Sequence, residues 1–150
     1  MSTDTPPPAD ASARMPDTLH LGVRVARPAD AVYAYVSDPQ HLPVWAPGLG
    51  SSVEQVDGQW FVEQAEGRAR VTFAPQNPFG VLDHEVVTAS GMVVHVPVRA
   101  IPDGEHACDV VFTLRRAPGM DDADLARDEG LVRADLDRLR DLLEAELAEA

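Results

Sequence analysis

The chain has no lysine: all twelve of its basic residues are arginine. A lysine Schiff base and the lysine of a phosphate-binding loop are therefore excluded. There is one cysteine, Cys108, which rules out an internal disulfide and a thiolate metal cluster. Ile101 is the only isoleucine; with the missing lysine, this fits a GC-rich bacterial genome. No apolar run is long enough to span a bilayer, and no basic start with an apolar stretch marks a secretory signal. A cytoplasmic location without membrane insertion is the expectation. Positive charge is scarce: the 150 residues carry a formal charge of −13. Such a chain repels phosphate backbones, so nucleic acid is not an expected partner.

What is present is a single domain's worth of apolar patterning, 45% of the residues. Residues 1–17 are rich in proline and polar residues and are expected to form a disordered tail ahead of a domain at 18–150. From Leu19 the pattern has period two: Leu19, Leu21, Val23 and Val25 share one face. Pro28 and Asp30 then mark a helix start, with Val32, Tyr33 and Val36 as its buried stripe. Asp38-Pro39 repeats the signal for a second short helix that ends near Trp45. A run of strands follows. Its turns are Asp57-Gly58, Glu66-Gly67, the corner Pro75–Gly80, Ala89-Ser90-Gly91 and Pro102-Asp103-Gly104.

The last two loops predict a register. The first pairs Thr88 with Met92 and sets His84 opposite Val96. The second pairs Ile101 with Glu105 and sets Val96 opposite Val110. One face then carries Leu82, His84, Val86, Val94, Val96, Val98, Cys108, Val110, Phe112 and Leu114. The other carries Asp83, Glu85, His95, Arg99 and Asp109. A one-residue slip would scramble this separation, so an antiparallel sheet buried on one side is predicted. From about Asp121 a long helix begins. Val132, Leu136, Leu139, Leu143 and Leu147 form its stripe, extended by Leu125 and Leu131. Residues 121–150 hold eleven acids against four arginines, read as a solvated face with pairs such as Asp137–Arg140. An acidic docking surface for a protein partner is the alternative.

The order is a strand, two short helices, about six more strands and a long helix: an α+β cup with a helical lid. Three segments carry a resemblance: RPADAVYAYVSDPQHLPVWAPG at 27–48, NPFGVLDHEV at 77–86 and FTLRRAPGM at 112–120. Over roughly residues 18–148 the chain resembles the SRPBCC superfamily (START and pollen-allergen-like proteins), most closely its bacterial polyketide cyclase/dehydrase-like members. The resemblance implies a helix-grip fold, a curved antiparallel sheet of about seven strands wrapped around the C-terminal helix with a deep apolar cavity between them. The superfamily shares no catalytic motif, so no catalytic residue is carried over.

His84 is the polar exception on the apolar face. It is either a core histidine held by a backbone hydrogen bond or an acid/base and ligand-orienting group. Trp45 and Trp60 are candidate cavity walls or plain core; the register near Glu66-Gly67 leaves open whether Trp60 or Phe61 faces inward. The candidate ligand-binding set is Trp45, Trp60, Phe73, Leu82, His84, Val94, Val96, Val98, Val110, Phe112, Leu136 and Leu139. Arg70 is expected to face solvent. Asp83 cannot form a dyad with His84, because neighbouring strand residues point to opposite faces. The five histidines lie on different elements, so no metal site is expected, and no cofactor. The leading expectation is binding of a small hydrophobic, lipid-like or polycyclic molecule by a monomer or homodimer. A polyketide cyclase/dehydrase-type enzyme using His84, and a protein-interaction module using the acidic last helix, are the alternatives.

Overall fold

Alternation of apolar and polar side chains makes Thr18–Val25 strand β1, with Leu21, Val23 and Val25 buried. The computed structural model describes residues 14–149, with side chains as far as Ala145. Pro28 caps helix α1 (Ala29–Val36), and its carbonyl accepts from the Ala31 and Val32 amides. Val32 and Val36 are its buried face. Asp38 then caps a 3-10 turn (Pro39–His41), accepting from the Gln40 amide at 3.0 Å. That turn runs into the one-turn helix α2 (Leu42–Trp45).

Strands follow: β2 (Val53–Val56), β3 (Gln59–Gln64), β4 (Gly67–Phe73), β5 (His84–Val87), β6 (Val93–Val96), β7 (Val98–Asp103) and β8 (Ala107–Arg115). All pair antiparallel, in the orders β1-β8-β7 and β2-β3-β4-β5-β6. The two groups are stitched where the Leu82 amide donates to Val98 and the Ala100 amide donates to Gly80. The Val81–Arg99 bridge there keeps the same register as His84–Val96. Residues 93–103 are thus one strand interrupted at Pro97, which has no N–H to give. The expected seven strands become eight among the described residues for that reason. The curved sheet, the two short helices and the long last helix make an α+β helix-grip fold.

Two hairpins have the expected turns. Asp57 and Gly58 both have positive φ, 51° and 79°, which suits the two-residue turn between β2 and β3. Gly91, at φ 89°, closes the loop that sets His84 opposite Val96. Two other turns differ. The β3–β4 turn is Ala65-Glu66, since Gln64 pairs with Gly67. The β7–β8 loop is Gly104–His106, since Asp103 pairs with Ala107 and Ala100, not Val96, lies opposite Val110. Pro102 stays inside β7. In this register the Val98 and Ala100 amides point away from β8 toward residues 80–83, and Pro102 follows the same parity. No ladder bond to β8 is lost there. The shift is four residues, an even number, so the apolar face survives it.

Helix α3 (Asp122–Glu149) starts with a reciprocal cap: the Asp124 amide donates to Asp121 Oδ1 at 2.8 Å and the Asp121 amide to Asp124 Oδ2 at 3.3 Å. Leu136, Leu139 and Leu143 are buried in the core with the sheet residues, Leu125 is buried as well, and Val132 is partly buried. Leu131 departs from the expected stripe and is 51% exposed. Leu147 lies outside the described side chains. Of the expected tail, residues 1–13 lie outside the described residues. Residues 14–17 are held in place. Arg116, nearly buried, donates to the Met15 carbonyl and to the carboxylates of Asp17 and Asp122.

The corner at 75–80 is built on Asn77. Its Oδ1 accepts from the Phe79 and Val81 amides, and its own amide donates to Tyr33 Oη. The corner ends at Gly80, φ 72°, where a Cβ would come within 2.2 Å of the Ala100 carbonyl oxygen. Gly80→Ala is therefore expected to cost at least about 2 kcal/mol, from left-handed strain plus the backbone clash. Gly104→Ala, at the same φ with no atom near its Cβ, should cost only about 1 kcal/mol. Urea denaturation of both variants checks the difference.

Candidate ligand-binding site

The inner face of the sheet is longer than the apolar stripe of α3 can cover. Where cover is incomplete, a cavity of about 170 Å³ remains. Its sheet wall is His84, Val96, Phe112 and Leu114; its helix wall is Asp128, Leu131, Val132, Asp135 and Leu136. The third wall is α2 and the loop after it, with Leu42, Trp45, Ala46, Gly48 and Leu49. Arg138 ties two of these walls together, donating to Asp135 at 2.9 Å and to the Trp45 carbonyl at 3.3 Å.

His84 owes its position to an exchange of hydrogen bonds beside Pro97. In the pair formed by residues 82 and 98, the Leu82 amide bonds the Val98 carbonyl. The return bond goes elsewhere: the Val98 amide donates to Asp83 Oδ1 at 3.0 Å. The Leu82 carbonyl is left to accept from His84 Nδ1 at 3.1 Å. A carbonyl only accepts, so Nδ1 carries the proton and Nε2 is an acceptor. Nε2 has no hydrogen-bond partner among the described residues. The ring packs on Phe73, with centroids 4.9 Å apart. Burial pushes the imidazole's pKa below its ordinary value, outweighing the Leu82 bond and the nearby Asp83 charge. His84 is therefore neutral at physiological pH.

Asp83 faces the other way and is held by both nitrogens of an Arg99 fork at 2.9 Å. The Arg99 bonds hold its carboxyl below the usual range. At the cavity, loss of solvent raises the Asp135 carboxyl above its ordinary value despite Arg138. The other buried polar feature is Trp45. The residue is 3% exposed and its Nε1 has no hydrogen-bond partner among the described residues.

A fold of this shape is what the sequence resemblance implies, and the family comparison agrees. The family described as polyketide cyclase / dehydrase and lipid transport matches residues 18–144. The chain belongs to this family. Solved structures similar to this family member share its fold at low identity. A Bacillus thuringiensis protein is 12% identical over 84% of this chain and 98% of its own, with a TM-score of 0.66. Truncated norcoclaurine synthase from Thalictrum flavum is 16% identical over 84% and 92%, with a TM-score of 0.59. The Zhui aromatase/cyclase from a Streptomyces species is 18% identical over 87% and 94%, with a TM-score of 0.58. No curated protein matches the chain.

Within this family member, the structure brings five of the candidate residues to the cavity: Trp45, His84, Val96, Phe112 and Leu136. Leu82, Val98, Val110 and Leu139 are fully buried core beside it. Val94 is on the inner face but exposed, beyond the reach of α3. Phe73 lines a separate open groove with His84, at the sheet break. Trp60 pairs with Val71 on the inner-facing side at the far end of the sheet, away from the cavity. Phe61 faces out, its ring 4.1 Å from the Arg68 guanidinium. Leu42, Ala46, Leu49, Asp128 and Asp135 were not foreseen. A helix-face count could have found the last two, since 128, 132 and 135 share one side.

Cys108 is buried within β8, which with Asp109 pushes its thiol up to about 11. The native protein should resist iodoacetamide at pH 8, and react on unfolding; mass spectrometry reads the adduct. His84 gives a second expectation. Its folded pKa is depressed, so its share of stability is full above 6.5, its ordinary value, and is lost as pH falls below that. Asp135 acts with the opposite sign. The comparison of wild type with His84→Gln isolates the histidine: the variant should lose less stability between pH 6.5 and 5. One proton sets the ceiling at about 1.4 kcal/mol per pH unit. Urea midpoints across that range measure it.

Proposed function

We propose that this protein binds a compact hydrophobic molecule in the cavity between the sheet, α2 and α3. The observation that carries the reading is the cavity itself. Protein interiors leave few voids larger than a water. The one here holds about 170 Å³ and is partly open, well beyond the room for a single water. Its walls are mostly apolar, and apolar voids stay dry and take apolar guests. The size narrows the guest. Drug-sized ligands occupy pockets of about 300–1,000 Å³, whereas a cavity of about 150 Å³ takes benzene. A single ring fits this reading better than the lipid-like or polycyclic ligand expected from the sequence. The proposal retains a cytoplasmic setting and a monomer or homodimer.

A second reading, a cyclase or dehydrase, has one observation in its favour. His84 is neutral, buried and oriented through Nδ1, with an uncommitted Nε2 able to take a proton from a carbonyl-activated carbon. Family membership supports the same reading. It predicts that His84→Ala removes turnover of an aldol-type substrate while binding persists. Nothing comparable favours the interaction module. Four acids of α3 pair with arginines of the same helix, at Asp124–Arg127, Glu129–Arg133, Asp135–Arg138 and Asp137–Arg140.

Toluene is the simplest probe of the cavity. It should raise the melting temperature of the wild type. Val132→Phe puts a larger side chain into the void, and should abolish that increase while leaving the ligand-free melting temperature unchanged or higher. A toluene response that persists in Val132→Phe would place the guest elsewhere and end the proposal.

A further inference from the structure

We infer that two copies of this chain pair through the free edge of β6, antiparallel, with Val94 on the two-fold axis. The inference does not depend on the cavity. Hydrogen bonds locate the edge. The Thr88 amide donates to the Met92 carbonyl and the Leu82 amide to the Val98 carbonyl. Even-numbered residues of this stretch therefore turn their backbone groups toward β5, and odd-numbered ones turn theirs away. Of the odd ones, Pro97 is engaged, its carbonyl accepting from the Thr113 amide. Past that point no bond joins β8 to β6. The amides and carbonyls of Val93 and His95 have no partner among the described residues.

The side chains are open as well: Met92, Val93 and Val94 are 48%, 50% and 37% exposed. Edge strands are commonly protected from pairing by charged side chains. The other end strand of the same sheet, β2, carries Glu54, and the end strand β1 carries Arg24. Strand β6 carries only His95. Its geometry selects a second copy. One antiparallel register joins all four free groups of each edge, Val93 lying opposite His95 of the other copy and the reverse. Val94 then faces its own counterpart and Met92 faces Val96, so every pair on the inner side is apolar. A shift of two residues sets His95 against Gly91, or against another His95 with Val93 on the engaged Pro97. Charge selects the same occupant. Two chains of −13 repel, but residues 86–98 hold one ionisable side chain, His95, so the two edges meet without opposed like charges. The contact is short, which places the dimer among the weak complexes that bury less than about 1,200 Å².

Sedimentation velocity of the full chain, from micromolar concentration up to about 1 mM, should show a reversible monomer–dimer equilibrium. Val94→Lys sets two ammonium groups face to face on the axis and should weaken the dimer at least tenfold, although it makes the chain less negative. Ile101→Lys makes the same charge change at another exposed apolar site, 48% exposed, and should leave the dimer within about twofold. Val93→Pro removes an amide donor that the monomer does not use, and should also weaken it. Counterparts on the axis approach closely enough for a disulfide. Val94→Cys should therefore cross-link under copper–phenanthroline oxidation and Ile101→Cys should not; the native Cys108 is buried and does not compete. A wild type that stays monomeric throughout overturns the proposal. So does a dimer that Val94→Lys leaves as tight as before, or that Ile101→Lys weakens equally. If Val94→Lys does not fold, Val93→Pro and the cross-link decide in its place.

Discussion

The concave face of the sheet has to be kept dry, and α3 is the element long enough to do it. That requirement explains the order of the chain. Strands β1, β8 and β7 place Leu21, Val23, Val25, Ala100, Cys108 and Val110 on the face that Leu136, Leu139 and Leu143 cover. Polar contacts at the ends of β1 seat the helix. The Ala26 amide donates to Glu144, and Arg27 donates to the Leu143 carbonyl. At the helix start, Arg116 gathers Met15, Asp17 and Asp122. These contacts hold α3 at both ends. The cavity is the remaining gap, bounded on the open side by the short helix that ends in Trp45.

The site's chemistry depends on a defect in the sheet. The backbone of Pro97 faces β8, its carbonyl accepting from the Thr113 amide, while on the other edge the ladder to residues 82 and 83 rearranges. Asp83 takes the Val98 amide that the Leu82 carbonyl would have bonded, and Leu82 takes His84. A surface carboxylate thus sets the tautomer of a buried imidazole without touching it. The Asp83–Arg99 fork has a structural role here beyond the small energy of an exposed ion pair. The same defect splits one predicted strand into β6 and β7.

Much of this was legible in the chain. Period-two alternation and one three-residue loop placed His84 opposite Val96, and the outward direction of Asp83, Glu85 and Arg99 followed from parity. The β7–β8 loop was not legible in the same way. Pro102-Asp103-Gly104 reads as a turn by composition, but the proline's missing N–H falls on the side where β7 has no partner. Face patterning could not expose the error, because a four-residue shift leaves every side chain on its own face. Trp60 shows the converse limit. Parity put it on the inner-facing side, but distance from the helix keeps it out of the cavity.

By itself, the sequence determined the element order, the inward and outward faces, the helix caps and the family. These follow from local periodicity and from groups a few residues apart. Only the tertiary structure decided which inward residues border a void and which are packed solid, since that depends on the volume between elements far apart in the chain. It alone turned Asp128 and Asp135 toward the cavity, buried the Trp45 N–H without a partner, and made His84 an acceptor. Each of those outcomes rests on what a neighbouring element fails to supply, and no local pattern encodes an unfilled space or an unmade hydrogen bond.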